Sequence, residues 1–78
     1  MNEETEIDFD VLRFATFQLL RQAKIGFERT KDLAEDLRNA KQEDVAKAVE
    51  SVRDALKYAV IELDKAYETL KRRERRNR

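Results

Sequence analysis

Arg13, Lys24, Lys31 and Arg38 fall on one stripe of a helix, with Phe17 beside them. Cations in a row can meet phosphates, and a neighbouring aromatic ring can stack on an unpaired base. A second basic group, Arg72, Arg73, Arg75 and Arg76, crowds the end of the chain. Taken alone, the two groups describe contact with nucleic acid, a partner the sequence keeps open. A structural reading competes with it. Charge stripes beside apolar seams are routine on helices that pack in bundles. The arginine-rich end also has a counterpart in Glu3, Glu4, Glu6, Asp8 and Asp10 at the start. Acid at a helix N-terminus and base at a helix C-terminus complement the helix dipoles. In an antiparallel hairpin those two ends lie side by side.

Other chemistries lack their residues. The chain has no His and no Cys, which removes the commonest general base, the commonest metal ligand and the thiol nucleophile. Carboxylate-bridged metal sites in helical bundles use Glu together with Glu-x-x-His, so the acidic residues here read as surface positions. Glu43 with Lys47 and Glu68 with Arg72 have the four-residue spacing of helix-surface ion pairs. The single glycine cannot build a phosphate-cradling loop. No catalytic, cofactor-binding or metal-ligating residue is therefore assigned. The sequence predicts a protein that is not an enzyme, with no small-molecule substrate.

The elements that carry these residues follow from periodicity. At 78 residues the chain is a single domain, residues 1–78, and its formal net charge is zero. It has no Pro, so little turn chemistry interrupts it. No apolar run reaches the roughly 18 residues that span a bilayer, and the acidic start is unlike a secretory leader. No membrane association is expected, and the expected compartment is cytoplasmic. Val45, Val49, Val52, Leu56, Ala59, Leu63, Ala66 and Leu70 follow at alternating steps of four and three, the heptad seam of a helix packed lengthwise on another. A wider apolar face holds Phe9, Leu12, Thr16, Leu19, Leu20, Ala23, Phe27, Thr30, Ala34 and Leu37. The predicted fold is all-α: a helix over about 8–38 with Asp8 or Asp10 as its cap, a loop over about 39–42, and a helix over about 43–73. Asn39 either ends the first helix in a left-handed conformation or caps the second with Gln42 as capping-box partner. Gly26 signals close approach of a neighbouring helix, or else a break that divides the first helix in two.

One antiparallel hairpin cannot cover all the apolar surface. The first helix carries a second seam of Ile7, Val11, Phe14, Gln18, Arg21 and Ile25, with Phe17 further round. The second helix adds Tyr58, Val60 and Ile61 outside its main seam. The expectation is a hairpin that self-associates into a helical bundle, four helices in a homodimer being the simplest form. Its expected interface is Ile7, Val11, Phe14, Phe17, Gln18, Ile25, Tyr58 and Ile61. A monomer with a loosely covered face and a larger ring remain alternatives. So does a helical adaptor whose second seam binds another protein.

Two resemblances attach to these residues. Arg13, Phe14 and Gln18 are similar to the RNA-contacting first helix of the small plasmid copy-number regulators, hairpins that dimerise into four-helix bundles. That likeness covers only those few positions and implies an RNA-binding dimer. The whole chain, with strong helix formers, helices of matched length and the Val45–Leu70 seam, resembles de novo designed helical bundles. That resemblance implies a structural, self-assembling role.

Overall fold

Asp8 starts the first helix. Its extended backbone turns the carboxylate back so that Oδ1 accepts from the N–H groups of Asp10 and Val11, at 3.1 and 3.3 Å. Two of the four donors that a helix leaves unpaired at its start are thereby satisfied. The computed structural model describes residues 8–76. Within them lie two helices, α1 (Phe9–Asn39) and α2 (Glu43–Arg76), which pack against each other as a helical hairpin. No strand occurs among the described residues.

The turn departs from its expected form. Asn39 is the last residue of α1, and the left-handed conformation falls on Lys41, with φ of 64°. The N–H of Lys41 donates to the Arg38 carbonyl at 3.0 Å, and that of Gln42 donates to the Leu37 carbonyl at 2.8 Å. This crossed pair is a Schellman motif. Its register places the left-handed residue one beyond the cap, Ala40, whatever side chain stands there. Asn39 and Gln42 form no capping box. Asp44 instead accepts from the N–H of Val45 at 2.8 Å in the first turn of α2. The second helix also runs to Arg76 rather than about residue 73. Glu74, near its end, pairs with Arg13 across the hairpin, so the helix stays engaged for an extra turn. α1 runs unbroken through Gly26, so the first helix is not divided in two.

The packing seam of α1 runs through Phe9, Arg13, Thr16, Leu20, Ala23, Phe27, Thr30, Ala34 and Leu37, all buried or half-buried. On α2 the buried and half-buried series is Ala46, Val49, Arg53, Leu56, Val60, Leu63, Tyr67, Leu70 and Glu74. This corrects the expected second seam. Val49, Leu56, Leu63 and Leu70 belong to both, but Val45, Val52 and Ala66 are exposed. The helix is rotated by half a residue step, about 50° at 3.6 residues per turn. The rotation has a visible cause in the side chains it brings to α1. It sets Tyr67 against Phe17, with ring centroids 5.8 Å apart, and puts Glu50 and Glu74 within reach of Arg38 and Arg13.

Leu56 leans over Gly26: a Cβ placed there would lie 3.2 Å from Leu56 Cδ1. The close-approach reading of the glycine holds. The core is thin. Among the described residues Leu20, Ala23, Ala34 and Ala46 are buried, and no large side chain is fully enclosed. With extents of 61 × 21 × 13 Å, the molecule is a ribbon one helix thick.

Candidate interaction surfaces

The basic stripe is largely occupied by the hairpin itself. Arg38, at the C-terminal end of α1 where a cation suits the helix dipole, forms a two-pronged contact with Glu50. Nε donates to Oε2 at 3.0 Å and Nη2 to Oε1 at 2.6 Å, while Nη1 reaches Glu43. The fork ties the end of α1 to two turns of α2, as planar guanidinium–carboxylate pairing allows. Hydrogen bonding to Arg38 holds the Glu50 carboxyl below its usual range, and the same bonds push the Arg38 guanidinium further up. At the open end, Arg13 bridges Asp10, at 2.9 Å, and Glu74 of α2. Lys31 pairs with Glu28 at 3.5 Å along the same helix. Lys24 borders a shallow groove with Phe27, Lys57, Val60 and Ile61.

Of the terminal arginines, Arg72 donates to the Thr69 hydroxyl at 3.3 Å. Arg72, Arg73, Arg75 and Arg76 are all exposed on the last turns of α2. Arg75 also lines a small depression with Arg13, Lys71 and Glu74. The stripe and the tail thus meet at the open end, where Arg13 and Arg75 line the same depression. At its two ends Arg13 and Arg38 make inter-helix ion pairs, Lys31 pairs within α1, and the tail arginines are exposed.

The apolar candidates fall into small groups on both helices. Val11 is exposed, Phe14 is exposed in a depression it lines with Arg13, Phe17 and Tyr67, and Gln18 and Ile25 are half-buried. Phe17 leans on Tyr67, whose ring also lies 5.5 Å from Lys71 Nζ. Tyr58 is exposed on the outer side of α2, and Ile61 borders the Lys24 groove. Ile7 lies outside the described residues.

A different grouping emerges from the two seams. Leu12, Leu19, Gly26 and Leu33 each stand one residue before a seam residue of α1. Val45, Val52, Ala59 and Ala66 stand one residue before Ala46, Arg53, Val60 and Tyr67 of α2. Because the helices are antiparallel, equivalent flanks of the two seams lie on one side of the ribbon. That side is apolar at all eight positions, and its five large side chains are exposed. The corresponding positions on the other side are Phe17, Lys24, Lys31 and Arg38 with Glu50, Lys57, Asp64 and Lys71. One side of the ribbon is therefore apolar throughout, while the other mixes charged residues with the exposed Phe17 and the groove at Ile61. The strict seven-residue recurrence of Leu12, Leu19, Gly26 and Leu33 was the available signal. It stays hidden while Leu12 and Leu19 are counted with the packing face.

No group of three or more acidic residues among the described residues is placed to hold a metal ion. None of their helices is long and apolar enough to cross a membrane. No protein-family model, curated protein or solved structure matches the chain.

Proposed function

We propose that this hairpin is a non-catalytic, self-assembling structural module. One observation carries the reading: among the described residues ten large apolar side chains are exposed, while no large side chain is fully enclosed. A ribbon one helix thick has no second layer to cover them, and contiguous exposed apolar surface is characteristic of interaction sites. Small domains gain too little from a core this thin to stand alone comfortably. Association supplies the missing layer. The test is solution mass by light scattering across a dilution series, together with the thermal midpoint at each concentration. Linked folding and assembly make the midpoint rise with concentration. A monomer whose midpoint is constant overturns the proposal.

A nucleic-acid contact is the second reading, favoured by the exposed arginines at 72, 73, 75 and 76. Engagement of Arg13 and Arg38 by carboxylates weakens the stripe as a phosphate site. This reading predicts salt-sensitive binding of labelled RNA or duplex DNA that disappears when residues 72–78 are removed, since each phosphate contact releases counterions. Absence of binding at low salt removes it.

A further inference from the structure

We infer that the apolar face of the ribbon is the docking site for a second copy of this chain, with the two turns at opposite ends of the resulting four-helix bundle. The inference rests on the self-assembly reading and specifies its surface and orientation.

The occupant is argued from the face itself. Residues across the hairpin pair in layers: Leu33 beside Val52, Gly26 beside Ala59, Leu19 beside Ala66. Phe17 against Tyr67 and the closeness of Gly26 to Leu56 set this register. The smallest layer, Gly26 and Ala59, is central, with larger apolar layers on both sides. A two-fold axis through the centre lays that thin layer on its own copy and sets the Leu19 layer on the Leu33 layer. A face whose relief is matched about its middle is complementary to itself, as a closed two-fold dimer requires. At 61 × 21 Å the ribbon offers on the order of 1,000 Å², against about 800 Å² per partner in a standard stable interface. The layers that meet would also enclose Leu12, Leu19, Leu33, Val45 and Val52, five of the ten large apolar side chains that one hairpin leaves exposed.

Charge sets the orientation. Arg72, Arg73, Arg75 and Arg76 cluster at the open end. With both turns at the same end, two such clusters would abut. With the turns opposed, they lie roughly 45 Å apart, far beyond the ~10 Å over which charges interact in 0.1 M salt.

The experiment uses the full chain. Light scattering should give twice the chain mass. The pair Leu19→Glu with Val52→Glu should halve it, and Phe14→Glu with Ile61→Glu should leave it unchanged. Because the first pair could unfold the hairpin, a second measurement uses single spin labels, which the absence of native Cys makes clean. A label at Ala59→Cys should give an inter-copy distance under about 20 Å, given 8–10 Å between packed helix axes. A label at Lys41→Cys should give more than about 40 Å, the length of the helices. A monomeric wild type overturns the self-assembly reading and this inference together. A dimer broken by the Phe14 and Ile61 changes, or a long distance at Ala59, overturns this face while leaving self-assembly standing. A short distance at Lys41 overturns the opposed orientation.

Discussion

Lys41 is held where glycine belongs. Its φ of 64° is dictated by the two crossed hydrogen bonds that close the turn, and a residue with a Cβ is strained there. Replacing Lys41 by Gly should therefore stabilise the protein by about 0.5–1 kcal/mol, the relieved strain less the added freedom of the unfolded chain. Urea denaturation checks it; a fall in the midpoint would show that the lysine side chain contributes something the turn geometry does not explain. Glu50 gives a pH prediction at the same scale. Its carboxyl is held below the usual value by Arg38, so its contribution is present above about pH 4.3 and lost as pH falls through the depressed folded-state value. Glu50→Gln should be less stable than the wild type at pH 7, and the gap should close as pH falls below the usual carboxylate range. Thermal midpoints of both proteins across that range measure the gap. A gap independent of pH means the Arg38 contact contributes no linkage.

At the scale of the helices, the rotation of α2 has a direct test. Ala46 is fully enclosed because the seam passes through it rather than through Val45. Ala46→Leu should overpack the contact and cost about 1–3 kcal/mol, read by denaturant midpoint. If the seam ran through Val45 and Val52, position 46 would sit on a flank and accept leucine with little change. The same element marks where sequence reading stops. Asp8 as a cap, the two helices and the turn near 40 follow from neighbours a few residues apart, and they agree with the structure to within three residues. The seam does not, because both rotations of α2 share Val49, Leu56, Leu63 and Leu70. What decides between them is Tyr67 on Phe17 and the pairs Arg38–Glu50 and Arg13–Glu74, contacts separated by 12 to 61 residues. Composition even favours the other answer, since Val52 is a better core residue than Arg53. The basic stripe was legible as a stripe. Its engagement by α2 was not, since the partner carboxylates could be placed only once the pairing register was known.

At the scale of the whole molecule, the turn is clamped and the far end is open. The Schellman bonds and the Arg38 fork lie within about ten residues of Lys41, whereas the pairing of Arg13 with Glu74 closes a loop of some sixty residues. Every inter-helix contact thus has a sequence separation that grows steadily with distance from the turn. Loop-closure entropy then orders the contacts in time: those nearest the turn form first, and the hairpin zips outward toward Phe9. An isolated hairpin should accordingly show amide hydrogen exchange graded along its length, slowest around Ala34 and Ala46 and fastest near Phe9 and Arg76. Two copies with opposed turns would brace each loose end against the other's clamped end and flatten that gradient. Exchange rates followed by mass spectrometry at high and low protein concentration would register the change as a slowing confined to the open end, making the chain's own kinetics a gauge of its assembly.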